Sequence, residues 1–258
     1  MIVGIFHQGS GLGNQLHRYV ATRVLALDKG YEWGMLNPEL FKGESFMKID
    51  KGIQPITYGQ RFQEKKVVEN GVDIRGYDPE INFVEDWTII DGEFQDERYF
   101  SHHLNEIREW LKVEPLEIPN NLCVIGFRGG EYTLFPDLFL TQDYWNEAIE
   151  RMKKINPDMR FEVHTDDPLT ARGFFPNFKI IENQQLGHSQ HSNMGLNWRA
   201  MRYAKYAIIA NSSFCILPRL IKHYEDEETI TLAPRYWARR NTKIWALQQN
   251  YYRKFIYV

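Results

Sequence analysis

The 258-residue sequence predicts an α/β protein made of two Rossmann-like domains facing each other across a cleft. Three observations predict it. Short apolar runs alternate with stretches of helical periodicity, which is the order of a parallel sheet. One stretch rich in proline and asparagine, near residue 118, interrupts the alternation. Loops bearing glycine, acid or hydroxyl groups follow predicted strands in both halves, where open α/β sheets hold their ligands.

Taken in order, Ile2–His7 is a short buried strand, followed by the glycine-rich turn Gly9-Ser-Gly-Leu-Gly13. Asn14–Leu27 has helical spacing, with Leu16, Tyr19, Val20, Val24 and Leu27 near one face, and Asp28-Lys-Gly30 closes it. Tyr31–Leu36 is a second strand, residues 37–86 read as irregular, and Trp87–Asp91 is a strand. Glu97–Val113 is a helix with Leu104, Ile107, Trp110 and Leu111 at helical spacing. Val113–Asn121, with two prolines and paired asparagines, is the linker. Beyond it come strands at Leu122–Phe127, Phe161–Thr165, Phe178–Glu182, Tyr206–Ala210 and Thr229–Leu232, with helices at Asp143–Lys154, Asn197–Ala204 and Phe214–Tyr224. The predicted division is 1–118 for an acceptor-side domain and 119–240 for a donor domain, with 241–258 a C-terminal helix packing back on the first.

Composition excludes several classes. With 43% hydrophobic and 25% charged residues the chain can build a core. A net charge of −3 supplies no electrostatic case for nucleic acid. No apolar run approaches the roughly 20 residues of a membrane span. The start runs directly into strand-like sequence without a basic leader, and Cys123 and Cys215 read as free and buried. Together these predict a cytoplasmic protein, bacterial or viral, in a reducing compartment. Oligomeric state is left open.

Four loops carry the chemistry. Gly9-Ser-Gly-Leu-Gly-Asn-Gln15 sits between a strand and a helix, so its backbone amides can approach a phosphate. A dehydrogenase fingerprint would have a third glycine where Asn14 stands and an acid after the second strand, where Leu36 and Asn37 stand. Ile125-Gly-Phe-Arg-Gly-Gly-Glu-Tyr132 places Arg128 among glycines, a clamp for a diphosphate. His164-Thr-Asp-Asp-Pro168 offers acceptors to a purine edge or ribose, or a helix cap; adjacent acids diverge, which disfavours a metal. Ile209-Ala-Asn-Ser-Ser-Phe214 places Ser212 and Ser213 at a helix start, where hydroxyls and amides can cap the helix or hold a distal phosphate.

In this order the blocks resemble the α-1,2-fucosyltransferases and, more loosely, the wider fucosyltransferase superfamily. The family's G-G-L-G-N-Q-h-F-Q-Y-A is similar to Ser10–Val20, and its D-G-Y-W-Q-S-E-K-Y-F to Asp91–Phe100. Its H-x-R-R-G-D-Y is similar to Gly126–Tyr132, its Y-Y-x-x-A-I to Tyr144–Ile149 and its F-S-D-D to His164–Asp167. I-A-N-S-S-F-S-W-W and A-P-x-x-W resemble Ile209–Leu217 and Ala233–Trp237. The departures are Gly126 for the family histidine, Gly129 for its second arginine, Glu131 for its aspartate, and no Trp-Trp after Phe214.

The resemblance implies a GT-B-type glycosyltransferase. It would move a deoxyhexose, fucose first among them, from a GDP-sugar to a glycan hydroxyl, with inversion and without a metal or other cofactor. It implies Arg128 on the donor diphosphate, Gly11, Gly13 and Asn14 reaching it from the other half, and Gly126 and Phe127 beside it. His164, Asp166 and Asp167 would meet the nucleoside, and Asn211, Ser212, Ser213 and Phe214 would close the phosphate site. Glu131 is the candidate base, or else the carboxylate that orients Arg128; His7 and His17 are the alternatives. GDP-rhamnose is an alternative donor, a non-catalytic nucleotide or sugar binder an alternative function, and an NAD-binding dehydrogenase a third reading.

Overall fold

The computed structural model describes residues 1–54, 59–65, 67–69, 72–74, 76–181, 192–240, 244–247 and 252–258. The chain divides into two compact units, Met1–Lys112 with Gln249–Tyr252, and Val113–Gln248 with Arg253–Val258.

The first unit contains β1 (Ile2–Ile5), α1 (Leu12–Lys29), β2 (Trp33–Leu36), β3 (Gln60–Gln63), a hairpin of β4 (Val67–Glu69) and β5 (Val72–Ile74), β6 (Thr88–Asp91) and α2 (Leu104–Trp110). Its main sheet has the order β2-β1-β6-β3, with every pairing parallel. All four residues of β1 are buried, as expected of a central parallel strand covered on both faces. α1 presents Leu16, Tyr19, Val20 and Val24 to the core with no exposure. It stops at Gly30, whose left-handed φ of 67° lets its N–H reach the carbonyls of Ala26 and Leu27.

Two sequence expectations change in this unit. The stretch 37–86 contains β3, which pairs with β6 along its whole length. β3 is Gln-Arg-Phe-Gln, a polar edge strand without the apolar alternation that reveals inner strands. The predicted helix Glu97–Val113 is two 3-10 turns, Glu97–Tyr99 and Ser101–His103, followed by the short α2. Phe100 separates the turns at φ −150°, and its ring is buried against the edge of His17.

The second unit contains β7 (Leu122–Phe127), α3 (Gln142–Ile155), β8 (Arg160–Thr165), α4 (Pro168–Phe174), β9 (Lys179–Ile181), α5 (Ser192–Tyr203), β10 (Tyr206–Ile209), α6 (Ser213–Glu225) and β11 (Ile230–Ala233). The hairpin β12 (Tyr236–Arg240) and β13 (Ile244–Leu247) follows, then β14 (Ile256–Tyr257). The sheet order is β14-β11-β10-β7-β8-β9, again parallel at every pairing. Its core is aromatic: the Phe127 ring lies 5.2–5.9 Å from Phe139, Trp145, Phe174 and Phe175. Cys123 and Cys215 are free and buried, and burial pushes both thiols up, Cys215 to about 12.

The linker residues belong to this unit because α5 holds them. Arg199 donates to the carbonyls of Glu114 (2.8 Å) and Pro115 (2.6 Å), and the Tyr203 hydroxyl to that of Val113 (3.0 Å). The expected C-terminal helix is corrected at Ile244–Leu247, which is strand β13 pairing antiparallel with β12. Residues 241–243 and 248–251 of that expectation lie outside the described residues, as does Glu182 of the predicted strand Phe178–Glu182. Among the described residues no helix is long and apolar enough to cross a membrane.

Candidate functional site

Three loops of the second unit leave neighbouring parallel strands at their carboxyl ends, and Arg128 stands first among their side chains. It follows β7 directly, and its side chain is about one-third exposed. Its guanidinium is ion-paired with Asp166, which follows β8, and with Glu131 at 2.9 Å. The Gly129 N–H donates to the other Asp166 oxygen at 3.0 Å. Burial pushes the Asp166 carboxyl above its ordinary range, against the pull of Arg128 and the Gly129 amide. The guanidinium also lies 5.4 Å from the centre of the Tyr132 ring, whose hydroxyl donates to the Asn211 carbonyl at 3.3 Å. Tyr132 thereby ties the arginine loop to the loop after β10.

The glycines around Arg128 have steric reasons. A Cβ on Gly129 would stand 2.6 Å from the Asp167 Cβ, and one on Gly130, where φ is +37°, 2.5 Å from an Asp166 oxygen. At Gly126 a Cβ would meet Cys215 Sγ and Met201 Cε, both at 3.0 Å. The departures from the family pattern at 126 and 129 are thus sites where neighbouring side chains occupy the space.

The other predicted residues divide into those facing the loops and those spent on structure. Asp167 caps α4: it accepts from the Thr170 N–H at 3.0 Å and the Thr170 hydroxyl at 2.6 Å. His164 is buried, bonded to Asn197 (3.0 Å) and Glu162 (3.2 Å). The Phe127 ring belongs to the aromatic core, so only its backbone lies along the strand end. Asn211 donates to the carbonyls of Leu138 (2.8 Å) and Trp237 (2.5 Å), knotting the loop after β10 to the stretch before α3 and to β12. These four side chains all make contacts within the second unit. Ser212 is the N-cap position of α6 but makes no side-chain capping bond, and Ser213 and Phe214 begin the helix. Beside the Asn211 knot lies a cavity of about 350 Å³ lined by Leu138, Phe139, Tyr144, Tyr236 and Trp237, with the carboxylates of Asp137 and Asp143.

In the first unit the turn after β1 leads into α1, with Gly11 at the N-cap and Gly13 and Asn14 in the first turn. The space a Cβ would take at Gly9 and Gly11 is open. Asn14 accepts from the Gln95 amide at 3.1 Å, and the buried Gln15 bridges the Leu40 carbonyl and the Lys42 N–H. Arg18, which the sequence reading passed over as a helix residue, is buried. It donates to the Ser10 hydroxyl (2.7 Å), the Gly92 carbonyl (2.6 Å) and Glu93 (2.6 Å). It locks the glycine turn to the loop after β6. That loop contains Phe94 at φ 48°, a strained conformation for a bulky residue, with Glu64 accepting from the N–H groups of Glu93 and Phe94.

The two histidines of the first unit differ. His17 is buried, its Nδ1 bonded to the Gly13 carbonyl at 2.8 Å, and burial pushes its pKa down to about 4. Its ring is fully enclosed within the first unit. His7 is partly exposed, and its Nε2 lies 2.9 Å from Asp91, the last residue of β6. Arg61 of β3 donates to the second Asp91 oxygen at 2.5 Å. Burial alone would raise the Asp91 carboxyl, but its bonds to Arg61 and His7 outweigh that and hold it below its ordinary range.

No protein-family model matches the chain. It is 28% identical over 171 residues to an alpha-1,2-colitosyltransferase of Escherichia coli, covering 58% of this chain and 56% of that protein. The chain is thus matched over little more than half the length of that relative. Among solved structures, NodZ alpha-1,6-fucosyltransferase co-crystallised with GDP aligns at TM-score 0.44 and 12% identity, over 85% of this chain and 91% of that one. Fucosyltransferase NodZ from Bradyrhizobium aligns at 0.49 and 12%, over 85% and 92%. Escherichia coli heptosyltransferase WaaC with ADP aligns at 0.46 and 10%, over 100% and 92%. The class defined by the fold is an α/β protein of parallel sheets, with its glycine, acid and hydroxyl loops at the strand ends. Within that class the chain resembles the fucosyltransferase-like glycosyltransferases, in its own motifs and in a curated relative.

Proposed function

We propose that the chain is an inverting glycosyltransferase that carries a fucosyl, colitosyl or related deoxyhexosyl group from a GDP-sugar to a glycan hydroxyl. The observation that carries it is the gathering of Arg128, the Gly129–Gly130 backbone and the start of α6 at the carboxyl ends of adjacent parallel strands. That arrangement is built for a diphosphate: a planar cation beside a helix N-terminus. The resemblance to an alpha-1,2-colitosyltransferase directs the reading to sugar transfer.

The electrostatics suit a leaving group. Arg128 is held by two carboxylates of different standing: Asp166 is partly buried and also bonded to the Gly129 N–H, whereas the Glu131 side chain is 64% exposed. An exposed pair of this kind contributes about 0–1 kcal/mol. Diphosphate oxygens can therefore replace Glu131 at small cost while Asp166 keeps the guanidinium aimed. As the glycosidic bond breaks, charge grows on the diphosphate, and a fixed guanidinium stabilises it more than it stabilises the intact donor. The positive charge comes from Arg128 and backbone amides, so transfer proceeds without added metal or other cofactor.

Thermal unfolding with GDP, GDP-fucose, UDP, ADP and NAD tests this. A ligand at 100 times its Kd stabilises the folded chain by about 2.7 kcal/mol. GDP and GDP-sugars are expected to raise the melting temperature and the others not, with the response lost in Arg128→Ala. Stabilisation by NAD alone would return the chain to the dehydrogenase reading. Binding of GDP-fucose without release of GDP would make it a binder.

A further inference from the structure

Beside His7 and His17 the first unit holds a second pair of histidines, His102 and His103, adjacent in sequence. They stand in the 3-10 turn Ser101–His103, directly before α2. At three residues per turn, neighbouring side chains point about 120° apart. Here both rings turn to one carboxylate. Asp28, 74 and 75 residues away, lies 2.9 Å from His102 Nε2 through one oxygen and 2.8 Å from His103 Nε2 through the other. The ring centres are 4.6 Å apart. We infer that Asp28, His102 and His103 form a site for a divalent transition-metal cation, zinc first among them, contained within the first unit and serving its structure rather than sugar transfer.

The donor atoms suit such a cation and are close enough to share it. One atom from each of the three residues lies within 4.8 Å of the other two. A tetrahedral zinc with bonds of about 2.0–2.1 Å holds its ligand atoms roughly 3.3 Å apart. The rings are 49% and 20% exposed, so small side-chain rotations open the cluster around the ion. Two imidazole nitrogens select zinc and its neighbours over magnesium and calcium, which take oxygen ligands.

The surroundings of His103 favour a cation. Its Nε2 faces Asp28, and its Nδ1 lies 3.4 Å from Glu106 of α2. A neutral imidazole has one N–H and cannot donate to two carboxylates. With the cation on Nε2, the hydrogen sits on Nδ1 and faces Glu106, and both contacts are satisfied. Glu106 is then a positioning residue, the carboxylate that orients a ligating histidine from outside. Asp28 lies in the last turn of α1, where the helix end is already negative and a carboxylate is unfavourable without a cation beside it. α1 ends where β2 begins, so the cluster lies toward the amino ends of the strands, away from the glycine turn. The cation pins the end of α1 to the segment leading into α2.

The test is a zinc titration of the untagged chain, stripped with a chelator, followed by calorimetry and by thermal unfolding. Zinc should bind with one-to-one stoichiometry and raise the melting temperature with the logarithm of free zinc above its Kd. Magnesium and calcium at the same concentration should leave it unchanged. The double variant His102→Gln with His103→Gln should lose this binding. Asp28→Asn, which preserves the side chain's size, should lose it as well, with the metal-free melting temperature near wild type. Glu106→Gln should weaken zinc roughly 10- to 100-fold. A wild type that takes up no zinc, an equal response to calcium, or wild-type zinc affinity in folded Asp28→Asn overturns the assignment. None of these outcomes depends on GDP binding or turnover, so the transferase reading stands or falls separately.

Discussion

At the scale of single residues the second unit contains two arginines put to opposite uses. Arg128 is partly exposed with carboxylate partners, whereas Arg219 is buried and has only neutral acceptors. Arg219 donates to the Thr231 hydroxyl (2.9 Å) and to the carbonyls of Met201 (2.9 Å) and Ala204 (2.6 Å), and burial pushes its pKa down to about 9. From the middle of α6 it binds the end of α5 and β11 together. Arg219→Ala would orphan those buried acceptors and should destabilise the chain by about 3 kcal/mol or more in urea unfolding. Arg128→Ala should leave stability near wild type and lower turnover roughly 100- to 1,000-fold, the worth of one oxyanion donor. Glu131→Gln separates its two roles. As a competitor for Arg128, its loss should keep or raise GDP affinity with turnover retained; were it the base, turnover in the same assay would fall on the order of 100-fold.

Elements show which parts of the site were legible in the sequence. The loops after β7, β8 and β10 were visible because each joins an apolar strand to glycine, acid or hydroxyl residues in a short span. Their side-chain directions were not. Asp166 and Asp167 are neighbours in sequence, yet one faces Arg128 and the other caps α4, a division set by backbone rotation between them. The edge strand β3 was hidden because its residues are polar, and Arg18 because its partners lie 74 and 75 residues away. The glycines at 126 and 129 were read as lost functional groups; the structure gives them packing roles against Met201, Cys215 and Asp167. Restoring the family histidine by Gly126→His should therefore lower the melting temperature, at about 1–3 kcal/mol or more for overpacking. Combining it with Cys215→Ala should recover part of the loss; a Gly126→His variant as stable as wild type would show that the strand end has room to spare.

At the scale of the whole molecule, stability should be eroded by acid in two successive windows. His17 is buried and neutral, with a folded pKa of about 4 against an ordinary 6.5. The unfolded chain takes up this proton first as pH falls. The effect is absent well above pH 6.5, grows between pH 6.5 and 4, and amounts to on the order of 3 kcal/mol. His223 in the second unit, also lowered to about 4, acts in the same window. Glu162 acts in the next one. Hydrogen bonds from His164 and Lys179 hold its folded pKa at about 2, so the stability it contributes is complete above its ordinary value of 4.5 and is lost as pH falls from there towards 2. Urea unfolding from pH 7.5 to 4.5 should therefore show a fall in stability before the contribution of Glu162 begins to be lost. His17→Gln should flatten that slope, while Glu162→Gln should leave it unchanged and act only at lower pH. A slope between pH 6.5 and 4.5 that His17→Gln does not alter would mean that this imidazole opens to solvent far more readily than its packing against Phe100 and its bond to Gly13 imply.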